Sequence, residues 1–63
     1  MMDNKPQTLR IISPQGTSLY LHNVINYQFI TNEEYWIIKK ANGNHIFVLK
    51  SEVGVIGFDE DLK

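Results

Sequence analysis

Residues 35–50 read YWIIKKANGNHIFVLK. Two runs rich in aromatic and β-branched residues flank the dipeptide Asn42-Gly43, and this arrangement is the strongest short-range indication of a β-hairpin. Both residues of a two-residue hairpin loop must take positive φ, which asparagine and glycine tolerate. We therefore predict strands on either side of a two-residue loop at Asn42-Gly43.

A short helix over residues 35–40 is the alternative for the first run. Thr31 and Glu34 match a capping box, which marks helix starts. Aromatic and β-branched side chains lose rotamer freedom in a helix, however, and the Asn-Gly dipeptide follows directly. We therefore favour the strand.

The two-residue loop also predicts which side chains share a face. With Ala41 opposite Asn44, one face holds the residues that we expect in the core, namely Trp36, Ile38, Phe47 and Leu49. The opposite face holds Tyr35, Ile37, Ile46 and Val48. Because both faces are apolar, either the sheet curls enough to cover both, or one face meets another chain.

Three further segments have strand character. Residues 8–12 are β-rich, and Ser13-Pro14-Gln15-Gly16 is typical of a β-turn that leads back along residues 18–30. We expect a bend or bulge at His22-Asn23 within this long run. A one-turn break over 50–54 precedes a last strand over 55–58.

These segments predict an all-β protein, a small five-stranded antiparallel sheet curled into an SH3-like barrel with little or no helix. We expect a flexible lead-in over 1–7, a single β domain over 8–58 and a frayed acidic tail over 59–63. The last third of the chain, with Ile46-Phe47-Val48 leading into KSEV at 50–53 and VI at 55–56, resembles the closing half of Sm-like barrels. This resemblance implies an Sm-like variant of the barrel, although the N-terminal helix of that family is missing.

Composition excludes several classes of protein. The chain has 63 residues, no cysteine and a formal charge of −1, so it lacks a disulfide framework, a zinc ribbon and a global positive field. Ile, Val, Leu and Phe make up about a third of the chain, too much for a disordered segment. A domain of this length buries only about 60% of its unfolded surface, which favours self-association.

Motifs of catalysis, metal binding and membrane insertion are missing from the sequence. His22 and His45 are possible bases, but no serine lies in a nucleophile motif, and no metal-ligand spacing or glycine-rich phosphate loop occurs. We therefore expect no enzyme activity, cofactor, metal site or small-molecule substrate. Since no apolar run is long enough for a signal peptide or a bilayer span, we expect a cytoplasmic protein without membrane contact.

The leading hypothesis is a small non-catalytic protein-interaction module. It would associate with itself, as a homodimer or higher oligomer, or bind an unidentified protein. The expected partner-binding residues are Tyr35, Ile37, Ile46 and Val48, with Tyr35 as an anchor because aromatic residues dominate interface hot spots. The small size and a composition typical of AT-rich genomes also suggest a phage or mobile-element accessory protein that modulates a host protein.

Single-stranded nucleic-acid binding, to RNA in particular, is the alternative. Exposed aromatic rings can stack on bases while lysines contact the backbone. The expected residues are Tyr20, Tyr27, Lys39, Lys40 and Lys50.

Overall fold

A computed structural model describes residues 5–62 of the chain. Its strands are β1 (Gln7–Ile12), β2 (Ser18–Ile30), β3 (Tyr35–Lys40), β4 (His45–Leu49) and β5 (Val55–Phe58). They form one antiparallel sheet in the order β4-β3-β2-β1-β5. The predicted all-β, five-stranded antiparallel fold is confirmed, and residues 5–62 contain no α-helix.

The long strand β2 bends the sheet. Its pairing with β1 shifts on the N-terminal side of Val24, and its pairing with β3 shifts on the C-terminal side. Asn23 takes a φ of 61° at the first irregularity, as the predicted bend at His22-Asn23 requires. Bulges of this kind bend a strand and increase its twist. Val24, between the two shifts, is completely buried.

The sheet curls but does not close. β4 and β5 are its two edges, and each pairs with only one strand among the described residues. Closure of the sheet into an SH3-like or Sm-like barrel is therefore not confirmed. An open cleft of about 360 Å³ lies between β4 and the β1–β2 hairpin, with Val48, Ile11 and Leu19 among the residues that line it.

The β3–β4 turn differs from the predicted two-residue loop. Gly43 N–H donates to the Lys40 carbonyl at 3.0 Å, and Lys40 N–H donates to the Asn44 carbonyl at 2.9 Å. The loop therefore has three residues, and only Gly43, at φ 92°, takes positive φ. This is the arrangement of a type I turn followed by a bulge residue. The Asn42 side chain supports it by accepting a hydrogen bond from Asn44 N–H at 2.9 Å.

This turn shifts the register of β4 by one residue from the predicted pairing. Ile38 pairs with Ile46 and Trp36 with Val48, whereas Ile37 pairs with Phe47. A shift of one residue moves every side chain of a strand to the opposite face. The predicted face assignment is therefore correct for β3 and wrong for β4.

The core lies on the inner face of the curl. Its fully or almost fully buried side chains are Leu9, Ile11, Val24 and Ile38. Partly buried apolar residues pack around them, including Tyr27, Ile46, Val48, Ile56 and Phe58. The small number of buried side chains is what the length of the chain predicts.

Short 3₁₀ turns follow the last two strands. Lys50–Glu52 forms the predicted break before β5. Asp59–Leu62 forms a second turn where a frayed tail was expected. The Leu62 side chain packs this turn against β5, because it lies over Gly57, where an added Cβ would come within 3.3 Å of Leu62 Cδ2. At the N-terminal end, β1 begins at Gln7, which was expected to belong to the flexible lead-in. Residues 1–4 of the lead-in and residue 63 of the tail lie outside the described residues.

The alternative helix over 35–40 is not formed. Glu34 N–H donates to the Ile30 carbonyl at 2.8 Å, and Glu34 has a φ of 57°. The chain therefore completes a tight turn at Glu34 and enters β3 at Tyr35. The predicted strand is confirmed.

Gly43→Ala is expected to lower the free energy of unfolding by about 1 kcal/mol, because a Cβ disfavours positive φ. Steric overlap does not contribute to this loss, since a Cβ added at Gly43 would have no heavy atom within 4 Å. Gly43→Asn is the matched control and should lose less, because asparagine tolerates this region better. Urea denaturation measures both changes. An alanine variant as stable as the wild type would be inconsistent with this turn.

Candidate functional site

The outer face of the β3–β4 hairpin carries a contiguous apolar surface. Tyr35 lies between Ile30 on β2 and Leu49 on β4, and Ile37 lies beside Phe47 in the next row. We call these five residues, Ile30, Tyr35, Ile37, Phe47 and Leu49, the outer hairpin patch. The inner face of the same hairpin already packs against the core.

Two residues of the outer hairpin patch are more than half exposed. Phe47 is 62% exposed and Leu49 57% exposed. Tyr35, Ile37 and Ile30 are half-buried beside them. The Tyr35 and Phe47 rings meet edge to face with centroids 5.4 Å apart, a favourable geometry that orients both rings. The patch thus presents apolar side chains to solvent.

A row of polar residues across β2, β3 and β4 borders the patch on the side of the β3–β4 turn. Lys39 pairs with Asn26 on one side and with His45 on the other. The patch itself contains no charged residue. An apolar centre with a polar border is typical of protein-binding surfaces.

The structure separates the four predicted partner-binding residues. Tyr35 and Ile37 lie in the outer hairpin patch, whereas Ile46 and Val48 pack against the core on the inner face. Sequence reasoning missed Phe47 and Leu49, which it had placed in the core. Only the conformation of the turn distinguishes the two assignments, because β4 is apolar at both sets of positions.

The predicted nucleic-acid-binding residues do not form one platform. Tyr27 lies inside, with its ring edge to face against Phe58 at 5.0 Å. Tyr20 is exposed on the other half of the sheet, where the Arg10 guanidinium lies 5.6 Å from its ring centroid. Lys39 lies in the polar row of β3, and Lys40 pairs with Val24 at the end of that strand. Lys50 begins the 3₁₀ turn after β4.

The two histidines lie apart from any cluster of metal ligands. His22 Nδ1 is 3.1 Å from Thr8 Oγ1 on the neighbouring strand. His45 is exposed opposite Lys39. The described residues contain no group of three or more His, Cys, Asp or Glu side chains placed to hold a metal ion. They also contain no helix with the length and apolar character needed to cross a membrane.

No protein-family model, curated protein or solved structure matches the chain. The function proposed below therefore rests on the geometry of the outer hairpin patch.

Proposed function

We propose that the protein is a small non-catalytic protein-interaction module that binds through the outer hairpin patch and associates with a second copy of itself. One observation carries this proposal. Phe47 and Leu49 are more than half exposed on the edge strand of an uncharged, contiguous patch, although the hairpin already packs its other face against the core. Contiguous apolar surfaces bordered by polar residues mark interaction sites.

Covering Phe47 and Leu49, the most exposed residues of this patch, would offset the weakness of the core. Only four side chains of the described residues are buried, so the isolated domain has little apolar stabilisation of its own. Removing the exposed parts of Phe47 and Leu49 from water contributes on the order of 1–2 kcal/mol per side chain. A second copy supplies the same surface in return, and symmetric association is the commonest form of oligomer.

The single-stranded nucleic-acid alternative has less support. A nucleic-acid surface combines exposed rings with cationic groups, but the outer hairpin patch has no charge and Tyr27 packs inside. Tyr20 and Lys39 lie on different halves of the sheet. The role of a phage or mobile-element accessory protein that binds a host factor stays a prediction from size and composition.

Phe47→Ser is expected to weaken self-association at least about tenfold, because buried aromatic residues dominate interface energies. Tyr20→Ser is the matched control, since Tyr20 is also an exposed aromatic residue on a strand but lies outside the patch. Sedimentation equilibrium of the three proteins gives their dissociation constants. Equal weakening by both substitutions, or none by Phe47→Ser, would contradict the proposed surface.

A further inference from the structure

We infer that two copies associate by antiparallel pairing of β4 with β4 of the second copy, on a two-fold axis at Phe47. This inference rests on the proposed function and specifies its geometry. The pairing would extend the five-stranded sheet into a continuous sheet across the dimer. Both outer hairpin patches would then lie side by side on the same face of that sheet, with Phe47 of each copy at the centre. Phe47 and Leu49 would be covered by cross-strand contacts with the second copy, while Ile30, Tyr35 and Ile37 would stay on the outer face.

The hydrogen bonds of the hairpin show which backbone groups of β4 are free. Lys50 N–H donates to the Glu34 carbonyl, and Lys40 N–H donates to the Asn44 carbonyl, at the two ends of the β3–β4 ladder. In an antiparallel ladder, hydrogen-bonded and non-hydrogen-bonded pairs alternate. The even-numbered residues of β4 therefore bond to β3. The N–H and C=O groups directed to the open edge belong to His45, Phe47 and Leu49.

The β4 edge lacks the features that normally prevent pairing with another strand. Edge strands are usually protected by charges, proline, bulges or very short length. Residues 45–49 contain no Asp, Glu, Lys, Arg or Pro, and β4 pairs with β3 in an uninterrupted register. The opposite edge differs, because β5 leads directly into the acidic turn Asp59–Leu62.

One register uses all the free groups of this edge. When Phe47 faces its own counterpart, His45 faces Leu49 of the second copy, and about six inter-strand hydrogen bonds form. If one strand is displaced by two residues relative to the other, some of the free N–H and C=O groups of β4 have no partner in the second copy. No like charges oppose each other in the chosen register, because residues 45–49 carry no formal charge when histidine is neutral. A second copy therefore matches this edge in length, pattern and charge.

The expected contact area agrees with a dimer of modest affinity. Pairing of two five-residue strands, with contact between the flanking patch residues, would bury on the order of 1,000 Å² in total, which is at the lower limit for specific interfaces. We therefore expect a dissociation constant in the micromolar range or weaker, and exchange between monomer and dimer. Such an equilibrium allows both states to be studied in one protein.

Amide hydrogen exchange followed by NMR tests the pairing in the full-length protein. Samples well below and well above the dissociation constant are compared, with the mass of each checked by light scattering. The amides of His45, Phe47 and Leu49 should exchange at least about tenfold more slowly in the concentrated sample. The amides of Ile46 and Val48, which already bond to β3, should be protected in both samples.

A proline substitution provides an independent test of the backbone contact. Leu49 has a φ of −66°, the value that proline prefers, and its N–H has no partner in β3. Leu49→Pro should therefore preserve the fold while removing one edge donor. Leu49→Ala is the matched control because it shortens the side chain but retains the N–H. The proline variant should dimerise at least about tenfold more weakly than the alanine variant, since the symmetric dimer loses the same hydrogen bond twice.

The outcomes separate this inference from the proposed function. A dimer in which the His45, Phe47 and Leu49 amides exchange as in the monomer would overturn the edge pairing, and so would equal affinities of folded proline and alanine variants. Either result would leave the outer hairpin patch free to associate face to face. A protein that stays monomeric at high concentration would overturn both self-association and the edge pairing.

Discussion

Val48→Asp is expected to unfold a large fraction of the protein, whereas Phe47→Asp, one residue away, is expected to leave it folded. Val48 is partly buried against the core on the inner face, beside the open cleft, so an aspartate there replaces apolar contacts with the core by a carboxylate. Phe47 is 62% exposed on the outer face. The expected cost of Val48→Asp is about 3 kcal/mol, a large share of the about 3–5 kcal/mol that a core of this size supplies.

Urea denaturation followed by circular dichroism measures both variants. Phe47→Asp should keep a free energy of unfolding within about 1 kcal/mol of the wild-type monomer. The comparison also tests the β3–β4 register directly. If Phe47→Asp unfolded the protein and Val48→Asp did not, the two-residue loop would be correct and the three-residue loop wrong.

Ile38→Ala is expected to lower the free energy of unfolding by about 2–5 kcal/mol. Ile38 has no exposed surface, and it lies on β3 between Tyr27 of β2 and Ile46 of β4. Truncation leaves a cavity that the surrounding strands fill only in part. Few other buried side chains are available to compensate for the loss.

Ile37→Ala is the matched control for this substitution. Ile37 is the same residue type on the same strand, but it lies half-buried in the outer hairpin patch. Its truncation should cost about 1 kcal/mol or less in the monomer, because solvent occupies part of the space released. Thermal or urea denaturation at low protein concentration, where association is absent, compares the two. Similar losses for both variants would contradict the assignment of inner and outer faces.

Local sequence patterns were sufficient to predict the strands and most turns. Pro14 and Gly16 mark the β1–β2 turn, in which Gly16 N–H donates to the Ser13 carbonyl at 2.9 Å. Asn42-Gly43 marks the β3–β4 turn. These residues act through their own backbone preferences, which do not depend on the rest of the fold.

The register of β4 could not be predicted in the same way. Asn42-Gly43 is compatible with a two-residue loop, and also with a three-residue loop in which only Gly43 takes positive φ. Hydrophobic alternation normally decides between such registers. In β4 it does not, because Ile46 and Val48 are as apolar as Phe47 and Leu49. The Asn42 side chain contact to Asn44 N–H is the local feature that favours the longer loop.

This ambiguity determined how much of the candidate site was predicted. The apolar character of the outer hairpin face follows from sequence in either register, and Tyr35 and Ile37 occupy it in both. The contribution of β4 depends on the turn, so Phe47 and Leu49 replace Ile46 and Val48 in the patch. The 3₁₀ turn over Asp59–Leu62 was not predicted either, since it involves a contact between Leu62 and Gly57 that local sequence does not reveal.

The mass of the wild-type protein in solution, measured by light scattering from about 1 µM to about 1 mM, tests self-association most directly. We predict a weight-average mass that rises with concentration from 7.3 kDa toward twice that value. Phe47→Ser, measured in parallel, should stay near the monomer mass over most of this range. A wild-type mass that remains at 7.3 kDa up to the highest concentration would contradict the self-association of this protein.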